Sequence, residues 1–270
     1  MKYSSITFVL LLAFIFYSCG QKKENDAQNN GDTKTETSSA PKFEEKVLFQ
    51  SYNGCKENSD SCSYIKITYD EMTAGKSMNA VNLQINTILL TTMYPLGDST
   101  YGSLDAMMNG FIKDYETTKK EIPDMPGSWY LNATMKDTTG TEKILSFRQN
   151  FDMFTGGAHP SYFEYYYNFN AETGDSITLN DIFNPGYEKQ LTDLVVAKFR
   201  KDQNLPADKP LTDAGLFADS LTFNNNFLLT KEGITFHYNI YEIWAYVYGP
   251  AEVFIPYADL KAILKENGIY

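Results

Sequence analysis

Hydrophobic and polar positions change period several times along the chain, and each change marks an element. The first residues, MKYSSITFVLLLAFIFYSCG, place Lys2 ahead of an apolar run from Ile6 to Tyr17 that only Thr7 interrupts. That run falls short of the roughly 20 residues a spanning helix needs and has the length of the apolar region of a secretory signal. From Gly20 to Lys42 the chain is polar almost throughout. Such a stretch cannot bury enough surface to offset its ordering entropy, so a disordered tether is expected. Alternation begins at Glu44, where Val47 and Phe49 stand between polar neighbours, and it predicts a strand over 44–52. Tyr64 to Tyr69 predicts a second strand, paired with the first across a short polar loop. The period then becomes helical. Val81, Ile85, Ile88 and Leu89 define a helix from Met78 to Met93 that Pro95 and Gly97 end. Ser103 caps the next helix, Leu104 to Lys119, with Met107, Met108, Phe111, Ile112 and Tyr115 on one face.

Period two returns at Trp129–Met135, Lys143–Phe151 and Ser161–Asn170, which predict a three-stranded antiparallel meander. In its last strand Phe163, Tyr165, Tyr167 and Phe169 share one face, and Tyr162, Glu164 and Tyr166 take the other. Asn180–Phe183 predicts a helical turn. Pro185–Asp202 predicts a longer helix with Leu191, Leu194, Val195 and Phe199 inward. Strands are expected at 227–229, 234–238 and 252–255, and a closing helix at 260–266. Helices and antiparallel hairpins alternate in blocks, which predicts an α+β fold: antiparallel sheets with packed helices, in two helix-plus-meander halves.

Cysteine positions add an address. Cys19 follows Ser18 where the apolar run stops, as in a lipoprotein signal, although Phe16 and Tyr17 are bulkier than usual there. Cleavage before Cys19 and acylation (palmitate) of that residue are therefore expected. The alternative is an ordinary signal or short anchor with Cys19 incidental. The lipid would place the protein in the bacterial cell envelope, held to the outer membrane and either periplasmic or surface-exposed. Gln21-Lys22-Lys23-Glu24 resembles charged surface-export signals of certain Gram-negative lipoproteins. In an oxidising compartment, Cys55 and Cys62 of NGCKENSDSCSY are expected to form a disulfide at the tip of the first hairpin.

Charge narrows the partners. The chain carries 34 acidic and 23 basic residues, a net charge of −11. Losing residues 1–18 removes one lysine and no acid, giving −12. Nucleic acid is disfavoured and a cationic partner permitted. Twenty tyrosines and 18 phenylalanines suit glycan or protein contact, or sheet core.

Chemistry is harder to find. The two histidines, His159 and His237, stand in no zinc-ligand spacing, and neither a G-x-S-x-G elbow nor a spare cysteine offers a nucleophile. No catalytic residue, metal ligand or cofactor is assigned. His159 follows Gly156-Gly157 and precedes Pro160, so it reads as a turn histidine bonded to nearby backbone, or as a site residue beside Glu242. His237, opposite Phe236 in phase, is expected half exposed. Glu164 and Glu242 lie among aromatics, which suits sugar binding.

Three segments carry a family resemblance. They are Gly156-Gly157-Ala158-His159-Pro160, then Thr173-Gly174 with Ile177 to Phe183, and then Gly233-Ile234-Thr235-Phe236 with Tyr241-Glu242-Ile243, Tyr246, Gly249-Pro250 and Ile255 to Lys261. In this order they resemble the domain of unknown function found in the lysozyme-sensing anti-sigma factor RsiV. Residues 43–150 resemble the non-catalytic PdaC-type module that precedes that domain in a peptidoglycan deacetylase. The implied organisation is a signal at 1–18, a tether at 19–42, a PdaC-type module at 43–150 and an RsiV-like domain at 151–270. Trp244 and Ala245 stand where relatives commonly carry a small residue and a proline, so a bulkier, apolar hairpin tip is expected. No stretch resembles the metal-dependent deacetylase domain or the signalling segments of these relatives. What the resemblance implies is recognition of a lysozyme-like protein or of peptidoglycan glycan. The expected surface comprises Gly156, Gly157, His159, Tyr162, Glu164, Tyr241, Glu242 and Trp244. The alternatives are an assembly lipoprotein that binds another envelope protein, and a glycan-acting enzyme that uses His159 with Glu242.

Overall fold

The computed structural model describes residues 40–57, 61–92, 101–125, 127–138, 140–266 and 268. The signal, Cys19 and the tether up to residue 39 lie outside the described residues, as do Met93, Pro95 and Gly97. The two alternating runs near the start pair as expected: β1 (Lys42–Ser51) lies antiparallel to β2 (Tyr64–Ala74), with Ser51 opposite Tyr64. The Cys55–Cys62 disulfide closes the loop between them, with Cα atoms 5.6 Å apart.

Two helices follow, α1 (Met78–Thr92) and α2 (Leu104–Glu121). The Ser103 side chain accepts a hydrogen bond from Ala106 N and so satisfies one of the orphan donors of the first turn of α2. Asn82 pins α1 to the end of β2: its side chain accepts from Met72 N at 2.9 Å and donates to Met72 O at 2.8 Å. This two-helix excursion returns the chain beside β2 in a parallel pairing with β3 (Tyr130–Asp137), a crossover that periodicity alone does not reveal. The expected meander continues with β4 (Ile144–Phe154) and β5 (Ser161–Asn170), giving the sheet order β1-β2-β3-β4-β5. Residues 150 and 151 both lie within β4. Ile65, Ile67, Leu131, Met135, Phe147 and Phe169 of the sheet pack against Val81, Ile85, Leu89, Met107 and Phe111 of the helices.

The second core forms around three further antiparallel strands, β6 (Phe227–Leu229), β7 (Gly233–Tyr238) and β8 (Ala251–Pro256). The short helix α3 (Leu179–Ile182) opens with a capping box between Thr178 and Asp181. Helix α4 (Glu188–Asp202) buries Leu191, Val195 and Phe199 in this core. It starts later than Pro185 because Gly186 takes a left-handed turn (φ 86°). The expected closing helix is displaced: a single turn, α5 (Tyr257–Leu260), replaces 260–266. Past it, backbone groups pair with the α3 end instead, through Asn184 N to Ile263 O at 2.8 Å and Lys265 N to Ile182 O at 2.9 Å. The architecture is α+β, with a five-stranded and a three-stranded sheet.

Among the strands β5 pairs with β4 alone; on its other edge Phe169 bridges Ser176 and the stretch before it meets the second core. Asparagine side chains complete that edge. Each amide offers a donor and an acceptor much like a peptide group. Asn239 accepts from Glu164 N at 2.8 Å and donates to Glu164 O at 3.0 Å. Asn226 accepts from Tyr166 N at 2.9 Å and also donates to Glu164 O at 2.8 Å. In the opposite sense, the buried Asn168 of β5 donates to Phe227 O at 2.7 Å and accepts from Leu229 N at 3.0 Å. Ser146 adds bonds to Asn168 Oδ1 and to Leu229 O. An edge that would otherwise invite pairing with another chain is thereby closed.

Two stability predictions follow from these contacts. Asn168→Ala leaves Phe227 O and Leu229 N buried without partners, so chemical denaturation should show a loss of about 2–4 kcal/mol; a loss below about 1 kcal/mol would mean the edge is held by other contacts. The second concerns Asp137, whose backbone N donates to Asp70. Asp137 is exposed as a residue, yet partial desolvation of its carboxyl first, and the Asp70 charge second, raise it from 3.8 to about 6. A raised carboxyl binds its proton more tightly in the folded chain, so its stabilisation is present at pH 4 and lost as pH rises through 6. Asp137→Asn should therefore exceed the parent in stability at pH 7.5 by up to about 1 kcal/mol after solvent screening, with the gap closing at pH 4.

Candidate functional site

The face of β5 turned away from α1 and α2 carries Tyr162, Glu164 and Tyr166, with Asp152, Asn150 and Arg148 of β4 directly opposite them in register. On the second sheet His237 and Glu252 are likewise register partners. These two surfaces meet. Glu164 Oε1 lies 3.7 Å from His237 Nδ1, and Glu252 Oε1 lies 3.3 Å from it. Tyr166 donates to Glu164 Oε1 at 2.5 Å, and Arg148 pairs with Glu164 Oε2. The hydrogen bond from His237, above all, holds the Glu252 carboxyl below its usual range. Burial first, then the bond to Glu164, pushes the Tyr166 phenol well above its ordinary value, so it remains a donor.

His237 is only 3% exposed, not half exposed as its phase on the strand implies. The phase is right, but the face it points to is covered by β5, with the Tyr166 ring 5.9 Å away. The Glu164, His237 and Glu252 donor atoms all lie within 4.8 Å of one another. Their positions, distant in sequence and free of any ligand spacing, gave no signal of this grouping.

Beyond this cluster the exposed rings of His159 and Tyr241 converge with the half-buried rings of Tyr162 and Tyr246. Gly156 (φ 94°) and Gly157 (φ 116°) turn the chain after β4 in a left-handed conformation that favours glycine. They deliver His159 to the surface, where its Nδ1 lies 2.8 Å from Pro160 O. The Tyr246 ring stands 4.3 Å from His159, 5.8 Å from Tyr162 and 5.6 Å from Tyr241. Tyr241 is 54% exposed and held at a positive φ of 63°. Glu242 builds that turn: it accepts from Asn239 N and Asn224 Nδ2, each at 2.7 Å.

Two hollows flank the rings. One, of about 530 Å³, is lined by Tyr165, Tyr167, Asn224, Asn226, Tyr241 and Glu242. The other, of about 290 Å³, is lined by Asn132, Asn150, Asp152, Tyr162, Glu164 and His237. A row of rings crosses the first sheet toward Tyr246, with Phe49 5.7 Å from Tyr64, Tyr64 6.2 Å from Tyr130, and Tyr130 6.4 Å from Phe154.

Of the residues the sequence singles out, Gly156, Gly157, His159, Tyr162 and Tyr241 gather at one place, and Glu164 lies in the adjoining polar hollow. Glu242 serves the turn rather than pairing with His159. Trp244 does not form an apolar tip. It is 6% exposed, bridges to Leu216, donates to Gly249 O at 2.7 Å and packs on Phe199. Val247 and Tyr248 are exposed in its place. Tyr246 belongs to the third resemblance segment but was assigned no site role, and the asparagines were missed, because scattered amides carry no pattern until the turn assembles them.

Comparison with known proteins gives the organisation a frame. Residues 55–162 match the family model described as Deacetylase PdaC, and residues 180–258 match that of a protein of unknown function, DUF3298. No curated protein matches the chain. Among solved structures, a member of the DUF3298 family from Bacteroides fragilis superposes with a TM-score of 0.71 at 22% identity, covering 85% of this chain and 96% of that one. A DUF3298 family protein from Pseudomonas aeruginosa superposes with a TM-score of 0.68 at 18% identity, covering 85% and 97%. At such identities the likeness shows the fold alone. The ring cluster draws on both matched regions, with Tyr162 from the first and Tyr241 and Tyr246 from the second.

Proposed function

We propose that this chain, a PdaC domain followed by a DUF3298 domain, is a binding module tethered to the bacterial envelope through lipid on Cys19, and that it recognises wall glycan. One observation carries the reading: the rings of His159, Tyr162, Tyr241 and Tyr246 meet beside a hollow lined by Tyr165, Asn225, Tyr241 and Glu242, with Asn225 exposed and the amides of Asn224 and Asn226 committed to the fold. Sugar rings present apolar faces that stack on aromatics, and hydroxyl edges that pair with amides. Local geometry favours binding over turnover, because His159 and Glu242 each have structural partners of their own.

A cationic, lysozyme-like protein is the second reading, favoured by the net charge of −11. Its signature is an association rate that falls steeply with salt. Both readings are separated by calorimetric titration with soluble peptidoglycan fragments and with lysozyme. Saturable glycan binding that Tyr241→Ala or Tyr246→Ala weakens about tenfold supports the first. Salt-sensitive lysozyme binding without glycan binding supports the second, and binding of neither ligand removes both. Anchoring has its own test. Cys19→Ser should abolish incorporation of labelled palmitate and release the protein from membranes, whereas a variant that keeps its label and its membrane fraction would contradict the tether.

A further inference from the structure

The Glu164–His237–Glu252 cluster adjoins the ring surface but has an arrangement the binding reading does not require. His237 Nδ1 carries at most one proton, yet it faces two carboxylates at 3.3 and 3.7 Å. Both separations exceed the ~2.7–2.9 Å of a charge-assisted hydrogen bond. The 3.3 Å contact is a long hydrogen bond, and with all three donor atoms within 4.8 Å of one another both separations come near the edge of a tetrahedron of donors around zinc, about 3.4 Å for metal–ligand distances of about 2.1 Å. The other ring nitrogen, Nε2, is buried with no hydrogen-bond partner among the described residues. All the polar anchoring of this buried imidazole therefore comes from its Nδ1 side. Burying such a group is costly unless that side is fully satisfied.

We infer that Glu164, His237 and Glu252 form a binding site for a divalent transition-metal ion of the zinc class. One imidazole nitrogen and two carboxylate oxygens are a donor set that suits zinc. With Arg148 paired to Glu164, two carboxylates face one cation, leaving one uncompensated negative charge for the ion. Tyr166 orients Glu164 through its bond to Oε1, the kind of outer support that metal-ligating carboxylates require. Three protein donors leave a tetrahedral ion one further position. Glu164 and His237 both line the 290 Å³ hollow, so water or an oxygen ligand held there with Asn132, Asn150 and Asp152 can fill it.

Equilibrium dialysis of metal-stripped full-length protein in detergent against zinc tests the site. One zinc per chain is expected, in the micromolar range or tighter. Glu252→Gln, at an exposed position that leaves the fold intact, should weaken binding at least about tenfold, and the positioning change Tyr166→Phe by up to about tenfold. His159→Ala, which removes the exposed histidine outside the cluster, should leave binding unchanged. Absence of zinc binding by the parent protein would overturn the inference. So would binding that survives Glu252→Gln and disappears with His159→Ala, since the ion would then sit on the surface histidine. Cobalt substitution gives an independent readout: tetrahedral visible absorption should appear in the parent and be lost in Glu252→Gln.

Discussion

The open edge of β5 is the constraint on which the rest of the structure depends. A five-stranded sheet that ends there leaves backbone donors and acceptors facing the second core, and each buried unpaired group is expensive. Asn168, Asn226 and Asn239 resolve this by acting as peptide groups that belong to no strand. They join β5 to β6 and to the turns around β7 without extending the first sheet. Two α+β units, each with its own apolar core, are thereby fixed by polar bonds of defined geometry. The same device recurs at smaller scale, where Asn82 binds α1 to β2 and Asn184 donates to Leu264 O.

This junction also creates the chemistry. Once β5 is clamped at Glu164 and Tyr166, its outward face lies over the outward face of β7. A strand face that would be solvated on its own becomes a covered polar layer containing Glu164, Tyr166 and His237, with the exposed Arg148 at its margin. At the end of the layer the turns after β4 and β7 come together, and Glu242 spends its carboxylate on holding the second turn. Tyr241 and Tyr246 are thus presented by a structured turn, which limits the ordering cost of binding. The ring surface and the acid–histidine cluster are neighbours because one strand supplies Tyr162 to the first and Glu164 to the second.

Much of the architecture was legible in the chain. Period-two runs located β1 to β5, helical spacing located α1, α2 and α4, and the Cys55–Cys62 loop was readable from its position between two strands. Local pattern could not give the parallel β2–β3 pairing, because register between distant strands follows from where α1 and α2 return the chain. For the same reason His237 and Trp244 were misplaced. Phase along β7 fixed the direction of His237, but whether that direction meets solvent depends on β5. Trp244 looked like a hairpin tip because no sequence period marks its bridge to Leu216. Gly156, Gly157, His159, Tyr162 and Tyr241 were identified singly; Tyr246, which brings the rings together, was legible only as part of the resemblance, with no site role attached.

The most direct test of the account is to map where wall glycan contacts the protein, by titrating a disaccharide–peptide fragment of peptidoglycan into isotope-labelled protein and following amide and aromatic resonances. The account predicts shifts concentrated at His159, Tyr162, Tyr241 and Tyr246 and along the Asn224–Asn226 side of the hollow. Shifts confined to Phe49 and Tyr64, or no shifts at all, would contradict it.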